Sequence, residues 1–382
     1  MRDTPALRRI VHAVIAAEVV RLRGPGATPL PPGPWPDDLP LGDAGLGADS
    51  LERLGITAAL AETFDLDAAA LDAAPPGTLA DLLGWIVRDD RDDATITVAT
   101  SGSTGTPVTC THAWSDLTGE ARHFAGLLGD RRRVVALVPA HHIYGMVWTA
   151  LLPDLLGIPV APRPIGARLD LCDGDMIVAV PEQWRALLRL HRSFPAGLVG
   201  ITSGGPLPPG LGEALLAAGL SRLIDIYGSS ETGGIALRDL PATDYQLLPR
   251  WRLTPAGDDW DLIDDRARRI ALPDRVARIG ERHLRLLGRR DGAVQIGGRN
   301  VWPAQVAATL GATAGVEDIT VRLGANGRLK AFVVPAPGAD TEDLARALER
   351  SAALLAEAER PRAFAFGPAL PRNPMGKLTD WA

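Results

Sequence analysis

Lysine is almost missing from this chain. Of its 40 basic residues only Lys330 and Lys377 are lysine. A chain that prefers arginine this strongly and still keeps a lysine has a use for a compact ammonium on a flexible stem, which the planar guanidinium fork cannot replace. Cysteine is equally scarce. Cys110 and Cys172 are the two present, which excludes a disulfide framework and fits a reducing compartment. Cys110 reads as a small buried residue rather than a nucleophile. Long apolar runs are absent, so no membrane-spanning helix is expected. A basic excess is absent too: the net charge is -6, which gives no footprint for nucleic acid. The first 23 residues have an apolar centre but carry His12 and Glu18 and no cleavage-like end, so they read as a helix rather than a signal peptide. A cytoplasmic protein with no nucleic-acid or membrane partner is expected.

Hydrophobic residues make up 46% and charged residues 23% of the 382 positions. That composition belongs to a globular chain of two or three domains. The stretch that organises it is Thr100-Ser101-Gly102-Ser103-Thr104-Gly105-Thr106-Pro107, directly after the alternating run Thr95–Ala99, which predicts a strand. Glycines let successive N–H groups converge on one point, and hydroxyls add donors without charge, so the loop suits phosphate. It is not a Walker loop, since no Gly-Lys-Ser/Thr ends it.

Residues 1–90 read as a small all-α bundle. Leu7, Ile10, Val11, Val14, Ile15 and Leu22 recur at helical spacing, and a second helix beginning near Ser50 is expected to line one face with Leu51, Leu54, Leu60 and Phe64. A third helix is expected over 78–87, with a charged linker at Asp89–Asp93. From residue 91 to 288 strands alternate with loops and helices, which predicts an α/β body with a largely parallel sheet and ligands at the strand ends. Residues 289–382 predict a compact α+β domain.

Two resemblances sharpen this reading. Gly47-Ala48-Asp49-Ser50-Leu51 is similar to the attachment site of acyl and peptidyl carrier proteins. That resemblance implies 4′-phosphopantetheine on Ser50, placed there by a phosphopantetheinyl transferase, and downstream acyl-chain-building enzymes as partners. A serine at a helix N-terminus suits a phosphodiester, although Asp49 or Ser50 equally suits a plain helix cap. From about Ile96 to the C-terminus the loops resemble, in family order, the adenylate-forming superfamily of acyl- and aryl-CoA synthetases, nonribosomal peptide adenylation domains and luciferase. The resemblance implies that Thr100, Ser101, Gly102, Ser103, Thr104 and Gly105 hold ATP phosphates. Gly204, Gly205 and Pro206 border adenine, Asp225 lies near its amino group and Tyr227 stacks on it. In Tyr227-Gly228-Ser229-Ser230-Glu231, Ser230 touches the α-phosphate and Glu231 holds Mg²⁺. By the same resemblance Asp274 and Arg289 would reach the ribose, Asp291 would be the hinge of a mobile C-terminal domain, and Lys377 would be catalytic. His142 and Tyr144 lie in the substrate-side motif, where the absence of an aspartate points to a small carboxylic acid without an α-amino group, aryl or short-to-medium acyl.

The match departs from the family in two ways. Val108 stands where a lysine is usual, and the carrier-like region occupies the place of a larger N-terminal region, so the body reads as truncated at its N-terminus. The expected activity is a carrier-fused acid–thiol ligase. Acyl-CoA synthesis with a structural helical domain, and a non-catalytic acyl-carrier scaffold, are the alternatives.

Overall fold

The structure, a computed structural model, describes residues 4–24, 28, 30–31, 33–67, 75–88, 94–100, 108–164, 166–208, 210–257, 259–297, 299–372 and 378–381. Contacts divide the chain into two units: residues 1–102, 107–252 and 280–283 in the first, and 103–106, 253–279 and 284–382 in the second.

The first unit opens with helix α1 (Pro5–Arg23). The Thr4 hydroxyl caps it by accepting from Leu7 N–H at 3.2 Å, and Pro5 supplies its first turn. Helix α2 (Ser50–Phe64) starts with a capping box, in which Asp49 accepts from Glu52 N–H and Glu52 accepts from Asp49 N–H. Helix α3 is Leu79–Arg88. The buried face of α2 differs from expectation. Ile56, Leu60 and Phe64 are buried, whereas Leu51 and Leu54 are 65% and 66% exposed. The start of α2 instead turns Glu52 inward, where Arg23 of α1 holds its carboxylate at 2.6 Å and keeps it ionised. These helices share a unit with the sheet. Helix α1 buries Leu7, Ile10, Val11, Val14, Ile15 and Val19, it packs on the π-helix Met146–Leu151, and Arg9 donates to the carbonyl of Ala150 there at 3.2 Å.

The rest of the unit is α/β. A hairpin of β1 (Thr95–Thr100) and β2 (Val108–Ala113) pairs Thr100 with Val108 across the phosphate-type loop. Helix α4 (Trp114–Leu127) follows, then β3 (Arg133–Ala136), the short α5 (Ile143–Gly145), the π-helix and α6 (Leu152–Leu156). Strand β4 (Val160–Pro162), β5 (Asp175–Ala179), α7 (Pro181–Leu190), β6 (Val199–Thr202), α8 (Leu211–Ala217), β7 (Arg222–Ser229), β8 (Gly233–Asp239) and β9 (Tyr245–Leu247) complete it. Within this unit the strand order is β9-β8-β7-β6-β5-β3-β4. The run β4-β3-β5-β6-β7 is parallel, as expected, and β5 and β6 are buried at every residue, which is why they read as mostly apolar runs, with Asp175 and Thr202 the buried polar exceptions. One face is filled by Trp184, Leu187, Leu198, Leu215 and Leu223, each such side chain contributing about 1.5–3 kcal/mol of burial. Beyond β7 the sheet is mixed, because β7, β8 and β9 run antiparallel.

The second unit holds β10 (Arg252–Ala256), β11 (Asp259–Ile263) and β12 (Arg269–Ala271) in one sheet, then β13 (Asp274–Ile279) and β14 (His283–Arg289). A C-terminal α+β layer follows, built from β15 (Val294–Ile296), β16 (Arg299–Val301), α9 (Pro303–Gly311), β17 (Val316–Leu323), β18 (Leu329–Pro335), α10 (Thr341–Ala353) and β19 (Phe364–Phe366). Its core joins Val306 and Leu310 of α9, Val321, Ala331 and Val333 of the strands, and Leu344 and Leu348 of α10. The segment after Arg289 is thus α+β, and the unit that contains it also takes in residues 253–279.

Candidate active site

The segment Tyr227–Gly233 is a tight hairpin, where strand, loop and helix were expected. Ser229 pairs with Gly233, so Ser230, Glu231 and Thr232 form the whole loop. A register shift between Tyr227 and Gly228 sets Tyr227 opposite Ala236 and Gly228 opposite Gly234, leaving Ile235 as the extra residue of a bulge. Position 228 requires glycine, since a Cβ there would lie 2.4 Å from the Gly233 carbonyl oxygen. The loop is fixed on every side. The Thr232 hydroxyl accepts from Ser229 N–H at 3.2 Å and bonds the Ser229 hydroxyl at 3.0 Å. His112 Nε2 lies 2.7 Å from the Ser230 carbonyl oxygen. Gly234 N–H donates to Glu120 at 3.0 Å, and the Trp251 indole N–H donates to the Gly234 carbonyl at 2.7 Å.

Glu231 is the exposed residue of this loop, and no side chain among the described residues bonds or pairs with it. No group of three or more histidine, cysteine or acidic side chains that could hold a metal occurs among the described residues. A single outward carboxylate is nonetheless what Mg²⁺ asks of a protein when substrate phosphates supply the other oxygens, so the donor set fits the ion.

Gly204, Gly205, Pro206, Asp225 and Tyr227, expected from the sequence on the adenine side, lie just after β6 or on β7. Gly204, Gly205 and Pro206 follow β6 as a bend, and the hydroxyl of Ser203 donates to the Ile226 carbonyl at 2.9 Å. Tyr227 is buried, with the Tyr245 ring 6.0 Å away at 61°. Asp225 is also buried, and its Oδ2 receives Arg238 Nε at 3.0 Å, Arg238 Nη2 at 2.8 Å and the Tyr245 hydroxyl at 2.7 Å. Burial pushes the Asp225 carboxyl up against the pull of these donors. One of its oxygens therefore braces β7, β8 and β9 together.

In the substrate-side motif, His142 caps the short α5 and its ring centroid lies 4.1 Å from that of His141. Burial lowers both imidazoles, His141 to about 4, so both are neutral at neutral pH. His141 Nδ1 is buried and has no hydrogen-bond partner among the described residues. The Tyr144 hydroxyl is shared between the carbonyls of Ala179 at 3.1 Å and Ile201 at 3.0 Å, tying the motif to the ends of β5 and β6. Gly145 lets this turn close, because a Cβ would meet the Pro139 carbonyl oxygen at 1.9 Å.

In the second unit Asp274 begins β13 and Arg289 ends β14. Arg289 grips Asp291 through two hydrogen bonds of 2.8 and 2.7 Å, which hold that carboxyl below its usual range. In the first unit Ser50 is exposed at the first turn of α2, with Asp49 rather than Ser50 as the cap. Ser101, Gly102, Ser103, Thr104, Gly105 and Lys377 lie outside the described residues, as does the side chain of Thr100.

Sequence reasoning missed His112, Glu120, Arg238, Tyr245 and Trp251. The alternation of β2 marks His112 as an inward position, and a carboxylate on the apolar stripe of α4 marks Glu120. Arg238 and Tyr245 carry no local signal.

The family model described as AMP-binding enzyme matches residues 50–281, more than half the chain. A 4-coumarate–CoA ligase of Rhodobacter capsulatus is 39% identical over 396 residues, covering 98% of this chain and 100% of that protein. A 4-coumarate–CoA ligase of Halorhodospira halophila is 37% identical over 381 residues, covering 97% of each. Among solved structures, an o-succinylbenzoate CoA synthetase of Bacillus subtilis, a double mutant bound with a product analogue, superposes with a TM-score of 0.57 at 21% identity over 76% of this chain and 69% of that one. An amide bond synthetase of Marinactinospora thermotolerans gives 0.55 at 20% identity over 74% and 67%. These two show a shared fold. The chain belongs to the AMP-binding enzyme family.

Proposed function

We propose that this protein is an ATP-dependent acid–thiol ligase that joins an aryl carboxylic acid of the 4-coumarate class to coenzyme A. The observation that carries the reading is the match, along almost the whole of both chains, to relatives named for that ligation. In the first step a carboxylate oxygen of the acid attacks the α-phosphorus of ATP. The bond to the bridging oxygen breaks, and pyrophosphate leaves with its electron pair. Glu231 anchors the magnesium ion that accompanies ATP and neutralises phosphate charge. Tyr227 faces adenine, Asp274 and Arg289 face the ribose, and Lys377 offsets charge at the α-phosphate. In the second step the thiol loses its proton, its sulfur attacks the acyl carbon and the C–O bond to AMP breaks. The family rearrangement between the steps assigns Asp291 as the hinge. Neutral His141 and His142, with no carboxylate beside them in the motif, suit an acid that lacks an ammonium.

A second reading keeps the thiol on the protein, as a 4′-phosphopantetheine arm on Ser50. Its support is that Ser50 is exposed on a capped helix start, flanked by exposed Leu51 and Leu54. One experiment separates the two. The protein is incubated with ATP, Mg²⁺ and 4-coumarate, with and without coenzyme A, before and after treatment with a phosphopantetheinyl transferase. Release of 4-coumaroyl-CoA by untreated protein supports the first reading. Acyl mass on treated protein without coenzyme A would replace it with the second.

A further inference from the structure

The Ser230 carbonyl is the near half of the peptide bond that leads into Glu231. Peptide planarity makes this a strong handle, because fixing that oxygen also fixes the N–H and Cα of Glu231. The group that fixes it is His112 Nε2, at 2.7 Å, on a side chain that is 6% exposed. A carbonyl only accepts, so His112 carries its proton on Nε2. His112 lies on β2, four residues after Val108, where it pairs with Ile96 of β1. One side chain therefore ties the strand that leaves the phosphate-type loop to the turn that bears the metal-type carboxylate. The far side of the turn is held separately, by Thr232 on Ser229 and by Glu120 and Trp251 on Gly234.

We propose that His112 is a positioning residue for the first half-reaction: its Nε2–H sets the Ser230–Glu231 peptide so that the Glu231 carboxylate is held ready for magnesium-bound ATP. The inference rests on the reading of the protein as an ATP-dependent ligase. It adds a residue that touches neither substrate nor metal and acts through the backbone. A placed neutral hydrogen bond, lost so that a buried carbonyl goes unpaired, changes an equilibrium by about tenfold to a hundredfold.

The test compares His112→Asn with His112→Gln in the full-length protein. The glutamine amide nitrogen occupies the place of imidazole Nε2, whereas the asparagine amide nitrogen falls at the place of Nδ1 and cannot reach Ser230. Pyrophosphate release is measured across titrations of MgCl₂, ATP and 4-coumarate, with thermal unfolding as the control for folding. His112→Asn is expected to raise the half-saturating Mg²⁺ and the KM for ATP by about tenfold while leaving the KM for the acid unchanged, and His112→Gln is expected to recover most of the loss. If wild type is active and the two variants match it, or fall equally with the acid KM moving alongside, His112 is not a positioning residue. A wild type that releases no pyrophosphate overturns the ligase reading itself, and the inference with it.

Discussion

The Tyr245 hydroxyl donates a 2.7 Å hydrogen bond to Oδ2 of Asp225, the same oxygen that Arg238 grips with two nitrogens. The Arg238 guanidinium also lies 4.7 Å from the centroid of the Tyr245 ring. This cluster stands behind Tyr227, the residue assigned to adenine.

Tyr245→Phe keeps the ring that touches Tyr227 and removes one donor from a buried carboxylate. The expected outcome is a loss of about 1–3 kcal/mol of stability, read by urea unfolding, with a raised KM for ATP and little change in the KM for the acid. A stable variant with an unaltered ATP dependence would detach the cluster from the nucleotide site.

Glu120→Gln tests a half-buried acid. Burial pushes the Glu120 carboxyl up to about 7, against the Gly234 N–H and the Arg250 charge, from an ordinary value of 4.5. Between about pH 4.5 and 7 the folded protein holds a proton there that the unfolded chain has released, so stability attributable to this group falls as pH rises through that window. Above it the folded state carries an ionised, desolvated carboxylate. Glutamine still accepts from Gly234 and has no charge to bury. The variant is expected to be more stable than wild type at pH 8, by on the order of 1–3 kcal/mol, with the difference vanishing near pH 4.5. Urea titrations at four pH values check this, and a pH-independent difference would place the proton elsewhere.

Glu231→Ala removes an exposed side chain from a turn that its neighbours hold. Thermal unfolding is expected to be unchanged, and pyrophosphate release is expected to fall by about 10²–10³-fold, as for other preorganised charge-stabilising groups. The readout is a Mg²⁺ titration at saturating acid.

Lys377→Ala is expected to cut adenylate formation by about 10²–10³-fold while sparing thioester formation from supplied acyl-AMP. The basis is its Gly376-Lys377 end motif and its survival in a chain that otherwise uses arginine almost throughout. Equal losses in both half-reactions would make the lysine structural.

The parallel half of the fold was legible because the centres of its strands are apolar and its loops follow in a known order. The hairpin at Glu231 was not: a three-residue connection to an antiparallel strand reads, in one dimension, like a loop before a helix, and Gly233-Gly234 gives no sign of direction. Asp225 and Tyr227 stand two positions apart in one readable run, but the Asp225 partners Arg238 and Tyr245 lie 13 and 20 residues on, too far for a local pattern to reveal. Leu51 and Leu54 misled because helical spacing marks a face without saying which face is covered. The ion pair of Arg23 with Glu52, which occupies the inward position at the start of that helix, spans two helices.

The seating of α1 bears on how the molecule can be cut. Leu7, Ile10, Val11 and Ile15 are fully enclosed, and Arg9 reaches the Ala150 carbonyl. Deleting the first ninety residues to obtain a minimal catalytic fragment would uncover an oily flank along the π-helix, and such a fragment should precipitate or demand detergent. Fusion tags and affinity handles belong instead ahead of Thr4, where the chain enters the helix through its cap.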